Sequence, residues 1–227
     1  MGEFVEYVSG NGSTLFFYAQ QHFLLVLYSV GLAAGIALVL GLFLHTNALT
    51  PPSWSRQLRI GGRESALLLS SAALTVPSLA LFGLLQPALG LGIAPSLAAL
   101  TIYGVYPVLR NTVAGLSSVE PAVLEAARGM GLGPVRRMTR VQFPLAWPVI
   151  VSGIRVATLI LIGIAVVAGT VSGPGLGQLL FTGLGRLGAA NSFEQVLAGT
   201  LGCLAVAALF EIAFLVLARF TTPKGIA

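Results

Sequence analysis

The stretch "VIVSGIRVATLILIGIAVVAGTV", residues 149–171, decides what kind of molecule this chain is. It carries one charged side chain, Arg155, in a run otherwise dominated by Val, Ile, Leu, Ala and Gly. At 1.5 Å per residue a helix over it reaches roughly 34 Å, enough for the roughly 30 Å hydrocarbon core of a bilayer, which takes about 20 apolar residues to cross. The rest of the chain agrees with this reading. Of 227 residues 56% are hydrophobic and 8% charged, and mean hydropathy is +0.93; an ordinary soluble domain carries about 25% charged residues. These values exclude a soluble domain and point to a membrane protein.

Four further segments read the same way, roughly 23–44, 65–85, 91–109 and 195–217. The chain is therefore expected to be an all-α integral membrane protein of about five transmembrane helices. An odd number of spans puts the termini on opposite sides. Lys and Arg favour the cytoplasmic side. Arg56, Arg59 and Arg63 lie between the first two spans, Arg110, Arg128, Arg136, Arg137 and Arg140 between the third and fourth, and Arg219 and Lys224 after the fifth. The opposite side holds Arg186 with Glu3, Glu6 and Glu194. Residues 1–22 are thus expected to form an extracytoplasmic segment, 23–217 a transmembrane domain with a cytoplasmic loop at 110–148, and 218–227 a cytoplasmic tail. Trp54 and Trp147 fall near the cytoplasmic boundary, where aromatic belts form. Pro77 is expected to kink the second span and is a candidate hinge. The start, "MGEFVEYVSGNGSTLFFYAQQ", lacks the cationic head and cleavage site of a signal peptide, so the spans themselves are expected to direct insertion. The single cysteine, Cys203, excludes an intrachain disulfide and reads as core filler.

The long positive loop contains "EAARGMGLGPVRRMTRVQFP", residues 125–144. Pro121 suits a first helical turn, "AVLEAARGM" is rich in helix formers, and Gly131 and Gly133 punctuate its end before Pro134 opens a second helix. In that helix Val135, Met138 and Val141 recur at helical spacing, with Arg136, Arg137 and Arg140 on the other side. Pro144 and Pro148 are then expected to break the chain before the fourth span. "GMGLG" follows a helix, has no βαβ context and no downstream acidic residue, so it is not a dinucleotide loop. "GPGLG" at 173–177 lacks the Lys-Ser/Thr of a Walker loop and reads as a non-helical turn at the outer boundary. No ATPase motif is present, and a few arginines beside a membrane call for no nucleic acid. His22 and His45, at opposite ends of the first span, are expected to snorkel to the interface.

The loop resembles that of bacterial ATP-binding-cassette importer permeases, whose pattern is Glu-Ala-Ala, three residues, Gly, nine residues, an aliphatic residue, one more, an apolar residue and Pro. Glu125, Ala126, Ala127, Gly131, Val141, Phe143 and Pro144 fill those positions in register, with Phe143 where Leu is usual. The flanking stretches "TVPSLALFGLL" (75–85), "YPVLRNTVAGL" (106–116), "GIRVAT" (153–158) and "GPGLGQLLFTGL" (173–184) are similar to the glycine betaine, carnitine and choline members, so the likeness covers about 60–222. Methionine-importer permeases share the loop and are the rival within the class. The resemblance implies a non-catalytic transmembrane subunit in a bacterial inner membrane, paired with a second permease chain as homodimer or heterodimer. It also implies ATPase subunits that hold the ATP and Mg²⁺, leaving this chain without a cofactor, and an external solute-binding protein that delivers the solute. In that scheme the seven loop residues contact the ATPase, and small Ala126, Ala127 and Gly131 let two backbones approach closely.

Two charges lie inside spans. At 1.5 Å per residue, Arg155 in the fourth and Glu211 in the fifth each sit about 10 Å inside the same face. Unpaired intramembrane charges are costly, so the two are expected to pair. An ion-coupled secondary carrier, the alternative from another class, calls for several ionisable groups near the midplane and inverted repeats, which this sequence does not offer. Aromatic cages hold quaternary ammonium groups, but Phe82, Tyr103, Tyr106 and Phe181 cannot be assigned to one from sequence.

Overall fold

The computed structural model describes residues 2–45 and 56–221, with backbone alone for 56–60. Trp54, Lys224 and most of the expected tail 218–227, together with the side chains of Arg56 and Arg59, lie outside the described residues. Among the described residues the chain is helical, without a strand. A short α1 (Gly2–Gly10) leads into α2 (Gly12–His45), which runs unbroken through residue 22, so no break in the helix marks the expected start of the first span at 23. Nothing in "GSTLFFYAQQHFLLV" breaks the helix: it contains no proline, and its polar side chains lie within reach of a continuing apolar run.

The expected second span is not straight. Within α3 (Arg56–Thr75) and α4 (Ser78–Leu89), the stretches Gly61–Thr75 and Ser78–Leu89 meet at 99°. Pro77 (φ −57°, ψ 133°) has no N–H to continue the ladder and drives the residue before it out of helical geometry. The break leaves the Val76 carbonyl without a helical donor, and the Tyr103 hydroxyl supplies one at 2.7 Å. The corner is thus a tied joint. Counting the bent pair as one span, the described residues offer five candidates for crossing a membrane, and four without it.

The third span, α5 (Ile93–Ser117), extends well past residue 110. After α6 (Pro121–Gly129) and α7 (Pro134–Arg137), a π-turn at Met138–Gln142 leads directly into α8 (Phe143–Val167). Pro144 and Pro148 therefore do not interrupt the chain. Pro144 occupies the first turn of α8, and just before it the Phe143 N–H donates to the Met138 carbonyl, one residue beyond α-helical register. That wider i→i+5 bond lets the helix pass a residue that cannot donate. The expected loop at 110–148 contracts to 118–133, between the end of α5 and the start of α7.

A 3₁₀ turn at Ala168–Val171, a glycine-rich bend and α9 (Leu176–Leu184) follow, and α10 (Ser192–Thr221) closes the chain. The bend holds the "GPGLG" turn, with Gly175 at φ +117°, but the helix that follows it is not anticipated by the pattern of residues. In the bundle α5 lies between α2 and α8, at distances only small residues allow. A Cβ on Gly104 of α5 would stand 2.7 Å from the Ala33 Cβ of α2, and one on Gly153 of α8 would stand 2.4 Å from the Asn111 Cβ of α5. Without a hydrophobic drive between helices in lipid, such close packing holds the assembly together. The main core gathers Leu25 and Val26, Phe82, Leu100 and Tyr103, Leu161, Leu176 and Phe210 from six helices.

A candidate docking loop at one end of the bundle

The first arm of the loop is α6. Pro121 sits in its opening turn, where the missing N–H costs nothing. Glu125 and Ala126 face outward, whereas Ala127 is 1% exposed, buried within the chain. Of the alanine pair, Ala126 is the one whose side chain is exposed at the loop surface. The arm ends in a Schellman cap. The Leu132 N–H donates to the Ala127 carbonyl at 3.1 Å and the Gly131 N–H to the Arg128 carbonyl at 3.0 Å, with Gly131 at φ +80°. A Cβ there would meet no atom within 4 Å. Glycine is therefore required by the backbone, not by crowding within this chain.

The second arm is α7 with the π-turn. Met138 is buried with Leu116, Ala146 and Ile150, and Val141 and Phe143 are half-buried, Phe143 tilted against Trp147 at a ring-centroid distance of 5.6 Å. Trp147, expected in an interfacial belt, packs against this cluster. Pro144 is exposed. Val135, expected on the apolar side, is 57% exposed, and Met130 at the tip is 74% exposed. With Arg128, Arg136 and Arg140 also exposed, the tip presents a mixed apolar and cationic surface. One element carries no recognisable signature in the sequence. The Gln142 side chain is buried and donates from Nε2 to the Leu116 carbonyl at 3.0 Å, with His45 Nε2 at 2.8 Å.

Elsewhere, the Arg155 guanidinium donates to the Glu211 carboxylate through Nε to Oε1 at 3.1 Å and through a second bond from Nη2 to Oε2. The fork geometry joins α8 to α10 at shared depth. His22 does not snorkel: it is wholly buried in α2, its Nε2 donating to the Ile162 carbonyl at 3.2 Å, beneath Gly175 of the glycine-rich bend. Phe82 and Tyr103 are core residues and Tyr106 accepts from Arg110 at 3.1 Å, so these aromatics do not gather around an open cage. Phe181 is partly exposed and lines an open cavity of about 390 Å³ with Gly169, Ser172, Gln178 and Thr182. Among the described residues no three His, Cys, Asp or Glu side chains stand close enough to hold a metal ion.

Comparison with known proteins agrees with this arrangement. Residues 56–223 match the family model described as binding-protein-dependent transport system inner membrane component. The chain is 32% identical to the choline transport system permease protein OpuBB of Bacillus subtilis, over 99% of this chain and 96% of that one. It is 33% identical to the osmoprotectant import permease protein OsmW of Salmonella typhimurium, over 98% of each. Its fold is similar to a chain of the inward-facing MetNI methionine ABC transporter, with a TM-score of 0.77 at 19% identity, covering 92% of this chain and 96% of that one. A bent, close-packed helical bundle with an exposed loop on the end of its fourth span, matched to the family model over most of its length, belongs to the inner membrane components of binding-protein-dependent transport systems.

Proposed function

We propose that this chain is the transmembrane subunit of an ATP-driven importer for a small quaternary-ammonium osmoprotectant of the glycine betaine, carnitine or choline type. The observation that carries the mechanism is the loop: its exposed tip is one helical element away from a span. Because α7, the π-turn and α8 form one run of helix, a push on the tip is a push on the fourth span. ATP and Mg²⁺ belong to a partner ATPase, whose closure moves the tip through Glu125, Ala126 and the arginine-bearing face. The chain itself performs no covalent chemistry. A second permease chain completes the pathway, and an external binding protein supplies the solute.

The orientation follows the arginines: the loop end faces the cytoplasm and the N-terminus lies outside, in a bacterial inner membrane. The class of solute rests on relatives bearing choline and osmoprotectant names over almost their whole length. Proteoliposomes containing the chain, its ATPase and its binding protein test the proposal. Uptake of choline, glycine betaine or carnitine that requires ATP on the ATPase side of the membrane supports it. Methionine uptake under the same conditions would move the solute to the rival class. Uptake driven by an ion gradient without the ATPase would replace the mechanism by that of a secondary carrier.

A further inference from the structure

The loop's second arm reaches the bundle through more than its own backbone. Three helical elements meet around one side chain. Leu116 lies in the last turn of α5, where carbonyls lack intrahelical donors, and His45 is the last described residue of α2. Gln142 closes the π-turn between them, buried, with its Nε2 3.0 Å from the Leu116 carbonyl and 2.8 Å from His45 Nε2. The chemistry fixes the roles. A carbonyl only accepts, so the Gln142 atom facing it must be the amide nitrogen; that nitrogen's second proton then points to His45 Nε2, which must accept and carry its own proton on Nδ1. One amide thus satisfies a carbonyl and an imidazole on two different helices.

The place of this contact gives it a role. π-turns are rare and widen the backbone by one residue, and here the widening lies at the junction of docking arm and span. A side chain at that junction moves with the arm. Its two partners belong to α2 and α5, which no backbone connects to the arm directly at this point. We infer that Gln142 is a positioning residue that passes movement of the docking arm to α2 and α5, with His45 as its required acceptor. This rests on the transport reading above for what the movement accomplishes; the contact itself does not depend on it.

The two parts separate in experiment. Amide hydrogen exchange on the purified full chain reads the contact alone: Gln142→Met, which keeps volume and cannot donate, and His45→Leu should each speed exchange over 138–142 by about fivefold, the effect of one hydrogen bond of ordinary strength. His45→Gln, which restores an acceptor oxygen, should exchange like the parent. In the complex with its ATPase and binding protein, solute taken up per ATP hydrolysed should fall by about the same factor in the first two variants and be retained in His45→Gln. Exchange unchanged in both Gln142→Met and His45→Leu overturns the contact. Altered exchange with parental coupling overturns the transmitting role. Equal failure of His45→Gln and His45→Leu overturns the hydrogen bond as cause. A parent complex whose uptake ignores ATP overturns the transport reading before any variant is compared.

Discussion

Gly131 separates two reasons for glycine in the loop. Its φ of +80° lies in the left-handed region, and a Cβ there would touch nothing within 4 Å of this chain. Within the chain, then, only the backbone term applies: an L residue in that conformation costs about 1–2 kcal/mol, with Asn tolerated best because its short side chain bonds locally. That is about a 5–30-fold shift in the population of the capped loop, and affinity for a partner that needs the cap falls by no more than that factor. The cost is local, because the tip contributes no residue to the main core. Gly131→Asn should therefore take up solute almost as the parent, Gly131→Ala should lose part of the coupling, and Gly131→Trp should lose more, since only Trp adds bulk against a partner surface. The assay is ATP-dependent uptake beside the thermal midpoint of the purified chain, which all three should leave nearly unchanged. Trp and Ala equally impaired would mean that no partner surface lies near Gly131. Trp performing like Asn would refute the docking assignment of the tip.

Arg155→Ala and Glu211→Ala should each lower the yield of membrane-inserted protein, and the double substitution should be milder than their sum; additive losses would show that the pair contributes nothing jointly. Tyr103→Phe leaves the half-buried Val76 carbonyl at the 99° corner without its donor, a loss of about 0.5–1.5 kcal/mol, the net value of one hydrogen bond, visible as a lowered thermal midpoint; an unchanged midpoint would mean that the corner holds without the tie. Gly177→Ala places a Cβ 2.0 Å from the Val166 carbonyl oxygen, which no rotamer relieves, whereas Gly163 has open space. The first should cost about 1–3 kcal/mol as overpacking does and Gly163→Ala should be silent in the same melting assay; equal behaviour would contradict the close packing of α9 against α8.

Much of the architecture is legible in the sequence because bilayer thickness imposes a length that composition alone reveals. The spans at 149–171 and 195–217 are located that way, and counting residues inward from their cytoplasmic ends gives Arg155 and Glu211 a common depth. The misreadings share a cause: a residue's local preference is taken without its neighbours. Pro144 and Pro148 look like breakers, but a π-turn that no periodicity announces absorbs the first of them. Pro77 reads as a kink, and how far the chain turns there depends on Tyr103, distant in sequence. His22 reads as an interfacial residue until α8 and the glycine-rich bend close over it. In the loop the register of Glu125, Ala126, Ala127 and Gly131 is plain, but the facing of Ala127 is not, because Ala126 and Ala127 are adjacent and identical, so residue type does not say which of the two turns inward. Gln142 carries no signal at all; its significance comes from the two helices, α2 and α5, that meet it.

The most direct test of the coupling account is a cross-link from the tip. In a Cys203→Ala background, Met130→Cys places the sole thiol at an exposed position. In the assembled complex this thiol is expected to be shielded from a water-soluble maleimide by the ATPase subunit, to cross-link to it, and to stop ATP-driven uptake while linked. A tip thiol labelled at the same rate with and without the ATPase, in a complex that still transports, would contradict it.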